Sequence, residues 1–522
     1  MKKIFFIIAS VCICFACSND FISLNPPSQL NADGFYQTET DMNQAVLSAY
    51  GKLRDLYNQQ FYRLGEIRSD NTTYSWLAGN PANEKGVDEF ASPLLPENSF
   101  LNDTWNNSYN VILRCNIIIG RAEDATFTNE EHRKQYIGEA RFLRALMYFK
   151  LNLIFGGFGL NNELLGVVKV DKEISQAEAY ELERAPLQDV YNLIIEDLQY
   201  AETNLPESYS STDVGRATRG GATAMLGKVY MHMAGYPLNK GDEYYSKAIT
   251  QFRSIIGNSR YALEPSYAEL FAVDNKNTAE SLFEVQYKKG APNGATGSPW
   301  NNNFAPRFSA KEVVLVGDKG GENAPTRDMS EAYETGDPRK YVSMRDGWLS
   351  ASTGAWETDK YVCKYYDVST SGSDNGNNWI ELRLADIYLL YAEALVRTNG
   401  DKNEAISYVN KIRERARNTE GDPEIEVPEG LLKDLKAGDF ATNDALLLAI
   451  EKERRVELAF ESHRWYDLVR TGRAKEVMIA EQAYDGFPPF TWSDDMLFYP
   501  IPMTVMQSNP GKIIQNKGYT QL

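Results

Sequence analysis

The stretch RLADIYLLYAEAL, Arg383 to Leu395, sets Leu384, Ile387, Tyr388, Tyr391 and Leu395 at steps of three and four. That period predicts a helix buried along one stripe, and Gly400 follows where such a helix should stop. The same spacing recurs upstream. Phe142, Leu146, Phe149 and Leu153 form one stripe, downstream of a capping-box pattern at Thr128 and Glu131. Leu187, Val190, Ile194, Leu198, Ala201 and Leu205 form another, with Pro186 at an expected first helical position and Pro206 past its end. Ala222, Leu226, Val229 and Met233 form a third, closed by Gly235 and Pro237.

Amphipathic segments at Tyr244 to Ile256, Glu404 to Arg417 and Asn443 to Phe460 extend the pattern. In the last of these, Glu451 and Arg455 stand at the spacing of a helical ion pair. Short helices joined by tight turns predict a mainly α fold, an array of tetratricopeptide-like helical hairpins. No single period of about 34 residues runs through the chain, so the repeat is an irregular one.

Two passages break the helical period. Ile67 to Phe100 is rich in Asn, Pro, Gly and Ser, and Glu284 to Asn378 is rich in Gly and Asn, with strand-like runs at Leu282 to Tyr287 and Val313 to Val316. The expected layout is a helical scaffold at about 30–66, 101–283 and 380–522, supporting irregular ligand-binding regions at about 67–100 and 284–379. No Pro-rich or Ser-rich tract and no run of like charge marks a linker, so residues 17–522 read as one domain.

The first residues read differently. Lys2 and Lys3 precede an almost unbroken apolar run from Ile4 to Ala16, too short to span a bilayer, and Ser18, Asn19 and Asp20 follow at once. A plain cleaved signal and a short anchor helix are the alternatives to a lipoprotein signal. Cys17 behind small Ala16 decides for the last, with residues 1–16 as the signal peptide and Cys17 as the lipidated residue, because a thiol at the cut is what accepts the lipid. Cys12 and Cys14 have bulkier neighbours, Val11 and Ile13. The protein is therefore expected outside the cytoplasm.

The formal charge of −18 argues against a nucleic-acid partner, which calls for a basic patch. Past Cys17 only Cys115 and Cys363 remain, which implies no disulfide framework. The three histidines, His132, His232 and His463, form no metal-ligand spacing, Gly156, Gly157 and Gly159 lead into no phosphate loop, and no nucleophile elbow is present. We expect no catalytic residue, no metal and no cofactor.

The positive signal is aromatic. Of eight tryptophans, Trp300, Trp348, Trp356 and Trp379 lie in the second irregular passage, and Trp76 lies in the first near Asp70, Asn71 and Tyr74. A pyranose ring offers an apolar C–H face to a flat ring, while its hydroxyls need amide and carboxylate partners around the rim. The expected ligand-binding set is thus Asp70, Asn71, Tyr74, Trp76, Trp300, Asn301, Asn302, Trp348 and Trp356. Trp300, followed by three asparagines, fits best. The competing reading is that these rings only pack loops onto helices.

Five fragments in order resemble the SusD/RagB family of outer-membrane nutrient-binding lipoproteins: Glu139 to Phe155 with the glycines after it, Arg216 to Tyr230, Arg383 to Leu395, Ile450 to Gly472, and Tyr499 to Tyr519. His463 stands where the family often has glycine. The resemblance implies a scaffold of four tetratricopeptide-like hairpins, a lipid anchor on an outer membrane facing the medium, and a place as lid on a SusC-like TonB-dependent barrel. It also implies capture of a neutral oligosaccharide without catalysis, with peptide or other nutrient capture, or a surface glycoside hydrolase, as alternatives. Glu453, Arg454, Glu457, Arg464 and Asp467 read as an ion network between helices, part of the scaffold rather than the site.

Overall fold

A computed structural model describes residues 34–58, 60–74, 82–292, 296–315, 317, 319–367, 372–421 and 431–521. The apolar stripes become helices that stack in chain order. Helix α1 (Glu39–Tyr57) packs on α2 (Ser99–Arg121), and both lie against α3 (Glu130–Phe155). Helix α3 pairs with α4 (Leu187–Asn204), and α5 (Arg219–Ala234) pairs with α6 (Asp242–Ile256). Helix α6 then meets α7 (Leu384–Arg397), which pairs with α8 (Lys402–Arg417). Four helical pairs result, mainly α as the periodicity predicts. The array continues through α9 (Asn443–Glu457), α10 (Arg464–Thr471) and α11 (Ala474–Asp485).

Helix α5 is buried on every side from Gly220 to Ala234, because α4, α6 and α7 surround it. Its small residues allow that closeness. A Cβ at Gly227 would stand 2.4 Å from the Phe252 ring of α6, so only glycine fits there. Strand β1 (Ser281–Val285) pairs antiparallel with β2 (Trp379–Arg383), which runs directly into α7. These two strands bracket the second irregular passage and return its ends to the scaffold.

Three local expectations are corrected. The capping residue of α3 is Asn129, whose side chain accepts from the Glu131 N–H at 3.0 Å, while Thr128 donates its N–H and hydroxyl to Glu39 of α1. The local box loses to a tertiary partner. Glu451 and Arg455 do not pair with each other. Arg455 reaches Asp328 (2.7 Å) and Asp70 (3.0 Å), and Glu451 reaches Arg464 (3.1 Å) and Arg473 (3.3 Å). Partly buried partners held by the fold outcompete a solvent-facing helical pair. Val313 lies in a turn and Val314 in irregular backbone rather than in a strand, and Val316 is outside the described residues.

The expected ion network is real and buried. Glu457 of α9 accepts from Arg383 of β2 at 2.7 Å, from Arg339 at 3.1 Å and from Arg415 of α8. Arg383 also binds Glu280 and Glu461, and Arg454 joins Asp386 of α7 to Asp467 of α10. Three guanidiniums around one carboxylate hold Glu457 well below the usual range, against a burial that alone would push it up. A different solution serves Arg184. It is buried and, among the described residues, pairs with no carboxylate, only with the carbonyls of Phe155, Leu165, Gly166 and Ile514 and the Asn516 side chain. That contact stitches the C-terminal segment onto the end of α3.

Glu66 sits fully buried at the junction of scaffold and first irregular region, accepting from the Ser462 N–H (2.7 Å) and the Asn71 amide (3.0 Å). Burial is the largest influence on it and pushes its carboxyl up from 4.5 to about 7. The fold thus favours the protonated acid, so this stabilisation is full below about pH 4.5 and is lost as pH rises through about 7. Urea midpoints are expected to fall between about pH 5 and pH 8, and Glu66→Gln to recover a few kcal/mol of that loss at the upper end. An identical slope in the variant would place the titration elsewhere.

Candidate functional site

Among the described residues of the irregular region most rings are buried, and Phe308, Trp356 and Tyr366 are exposed. Trp300 opens a short helix, Trp300–Phe304, and is wholly buried. Its ring lies 4.8 Å from Tyr287, 5.2 Å from Trp379 and 5.5 Å from Tyr365, and its indole N–H donates to the Tyr57 carbonyl of α1 at 3.1 Å. Asn301 and Asn302 are spent inside the same region. The Asn301 amide donates to the Asp367 carbonyl (2.8 Å), and Asn302 accepts from Asn375 (3.1 Å). No sugar can reach the face of Trp300 in this arrangement, so the competing reading holds for it: this ring packs the loops onto the scaffold.

The first irregular region gives a similar result. Asp70 is clamped by Arg464, through both carboxylate oxygens at 2.7 and 2.8 Å, and by Arg455. Burial raises its carboxyl, but the two arginines outweigh it and bring it down to about 2. Asn71 accepts from Arg455 at 2.9 Å and donates to Glu66, and buried Tyr74 donates its hydroxyl to Glu89 at 2.7 Å. Asp70 and Asn71 hold the loop base to α9 and α10, Tyr74 ties it to Glu89, and none of the three faces solvent. Trp76 lies outside the described residues.

Trp348 and Trp356 face opposite ways on one hairpin. Trp348–Leu349 pairs antiparallel with Trp356–Glu357, Leu349 opposite Trp356 and Trp348 opposite Glu357. Alternation along a strand sends neighbours to opposite faces. Trp348 is therefore 4% exposed against the core, and Trp356 is 65% exposed. The Trp356 indole lies across Gly347. A Cβ there would meet Nε1 at 2.5 Å and Cε2 and Cζ2 at 2.6 Å, so the bare backbone lets the ring lie flat.

Neighbouring groups complete the platform. Phe308 and Leu349 are exposed beside it, tied by hydrogen bonds from the Ala351 N–H to the Phe308 carbonyl and from the Ala310 N–H to the Leu349 carbonyl, each 2.8 Å. Ser352 and Thr353 put hydroxyls at the tip, held by buried Ser350, whose oxygen lies 3.2 Å from that of Ser352 and accepts from the Thr353 N–H. At the hairpin base Asp346 accepts from Ser330 and pairs with Lys340, both at 2.6 Å. Partial burial pushes that carboxyl up, and these two partners bring it below its ordinary value. An exposed flat ring with apolar shoulders and a hydroxyl rim can stack on a sugar face and meet its hydroxyls.

The histidines take other roles. His132 pairs with Glu39 at 2.6 Å on the helix surface. Burial pushes His232 and His463 well below their ordinary values, so both are neutral packing groups, His463 with Lys228 3.2 Å from its Nδ1. Among the described residues no cluster of His, Cys, Asp or Glu suits a metal ion, and no helix is long and apolar enough to cross a membrane. Cys115 and Cys363 are free thiols, pushed up by burial to about 12 and about 11.

Sequence reasoning missed the half-buried cluster of Phe90, Phe490 and Trp492, with Phe90 and Phe490 stacked at 5.2 Å and the Arg68 guanidinium over the Phe90 ring. Phe487 to Trp492, FPPFTW, is an aromatic run that loop-aromatic logic could have selected.

Residues 231–519 match the family model described as the SusD family, and residues 20–231 match one described as "Starch-binding associating with outer membrane". The chain belongs to the SusD family. It is 27% identical to SusD-like protein P25 of Formosa agariphila, over 95% of both chains. Its fold is similar to that of a SusD superfamily protein from Parabacteroides distasonis, with a TM-score of 0.75 and 24% identity over 94% of this chain and all of the other. A laminarin-binding SusD-like protein aligns with a TM-score of 0.73 and 26% identity, over 93% of this chain and all of that one.

The two tryptophans should therefore respond oppositely to truncation. Trp300→Ala is expected to lose about 3–5 kcal/mol of stability by leaving a buried cavity, and Trp356→Ala to stay within about 0.5 kcal/mol of the parent. Chemical denaturation of both variants checks this, and equal stabilities would contradict the assignment of Trp300 to the core.

Proposed function

We infer that this chain is a non-catalytic binding protein on the outer face of an outer membrane. In this reading a lipid on Cys17 anchors it, it captures neutral oligosaccharide, and it delivers the ligand to a SusC-like TonB-dependent barrel. The observation that carries the ligand half is Trp356, exposed and flat on its hairpin between Phe308, Leu349 and the tip hydroxyls. A laminarin-binding relative supports a glycan as the ligand class. The membrane half is supported by the apolar run ahead of Cys17, which lies outside the described residues, and by the outer-membrane description of the family matched at residues 20–231.

Isothermal titration against a panel of neutral oligosaccharides tests the reading. Binding to at least one is expected, and Trp356→Ala should weaken it by about 1–3 kcal/mol, the scale of stacking on a flat ring. Unchanged affinity would show that another ring carries the contact, and silence across the panel with binding to peptides would move the assignment to peptide capture. New reducing ends after incubation with the panel would overturn the non-catalytic reading. For the anchor, Cys17→Ala should release the protein into the soluble fraction of cells lacking the barrel. Retention in the membrane fraction would count against lipidation.

A further inference from the structure

Helix α9, helix α11 and the short helix Arg327–Ala332 line an open cleft of about 460 Å³, within the usual range of small-molecule sites. Glu481 of α11 lines it. This side chain is 6% exposed and makes no hydrogen bond or ion pair with any described residue. The carboxyl group has no protein partner and lines the cleft, so its hydrogen-bonding capacity is left to whatever occupies that space.

The walls say what partner would fit. Asp70, Asp328, Glu451 and Glu476 stand against Lys452, Arg455, Arg464 and Arg473, so the charged lining balances. The arginines are already matched: Arg464 and Arg455 on Asp70, Arg455 on Asp328, Arg464 and Arg473 on Glu451, and Arg473 on Glu476. Burial first, then Asp70 and Asp88, hold the Glu481 carboxyl well above the usual carboxylate range, so it is an uncharged acid that both donates and accepts. An anionic ligand would crowd four carboxylates, and a cationic one four basic side chains. Hydroxyl groups suit a lining of matched pairs with no net charge, since they bring none of their own. Ala332, Leu448, Val477 and Ala480 supply an apolar wall for C–H faces.

We propose that this cleft binds a neutral mono- or disaccharide, with Glu481 as the central hydrogen-bonding group. It is separate from the platform. Asp328 and Ala332 line the cleft from one face of the helix Arg327–Ala332, and Ser330, about half a turn away, holds Asp346 at the base of the Trp356 hairpin.

The test uses the full chain carrying Trp356→Ala, so that the hairpin does not contribute. Saturation-transfer NMR and calorimetry would follow glucose, galactose, mannose, xylose and their common disaccharides, with glucosamine and glucuronate as charged probes. At least one neutral sugar should bind. On that background Ala480→Trp, at the exposed rim, and Glu481→Leu should each weaken binding at least about tenfold, and Glu481→Gln, which keeps the shape of the neutral acid, should stay within about threefold. Absence of binding by every neutral sugar, indifference to Ala480→Trp, or preference for either charged probe would overturn the proposal. Failure of the hairpin reading shows instead as long-chain affinity unchanged by Trp356→Ala alone, so the two failures are distinguishable.

Discussion

Glu457 is the point on which the rest of the structure turns. One buried carboxylate gathers guanidiniums from a strand, a loop helix and a scaffold helix, namely Arg383, Arg339 and Arg415. Replacing such a cluster by well-packed apolar residues can be neutral for stability, whereas removing one member strands a buried charge and costs about 3–5 kcal/mol. The cluster therefore acts as a geometric lock. It fixes where β2 enters α7 and where the helix Pro338–Ser343 leaves the loop region, so the irregular passage begins and ends at defined places.

Around that lock the loop region is built like a core. Trp300, Tyr365, Trp379 and Tyr287 fill a layer between β2 and α1, and the asparagines that follow Trp300 tie neighbouring loop backbone and side chains. Long loops without regular structure would otherwise leave many backbone polar groups unmatched. Here amides and rings do the work of a sheet. Among the described residues the exposed apolar groups of this passage are few: the hairpin carrying Trp356 with Phe308 and Leu349, together with Leu315 and Tyr366.

The scaffold was legible because helix burial writes itself into spacing, and α3 to α9 emerge close to where their stripes place them. The ends were less legible. The α3 cap moved to Asn129 because Thr128 found Glu39 on another helix, and Arg455 ignored Glu451 because Asp70 and Asp328 were brought to it by the fold. Such contacts join residues far apart in the chain and leave no local period. The site was legible only as a composition. Tryptophan in a loop signals an aromatic wall equally well whether the wall faces a ligand or a core. Trp348 and Trp356 show the difficulty in one hairpin, since only the strand register decides which of them meets solvent.

The bare backbone at Gly347 has a further meaning for how such a surface can change. The Trp356 ring rests on it with no room for even a methyl group. A substitution at Gly347 would tilt the ring without touching its identity, while changes at Ser352 and Thr353 at the tip would vary the rim and leave the ring's bed intact, Gly354 being held to glycine by its φ of +66°. The platform thus separates what must stay from what is free to drift. One achiral position keeps the stacking surface level, and the turn beyond it is open to selection for whichever hydroxyl pattern the ligand presents.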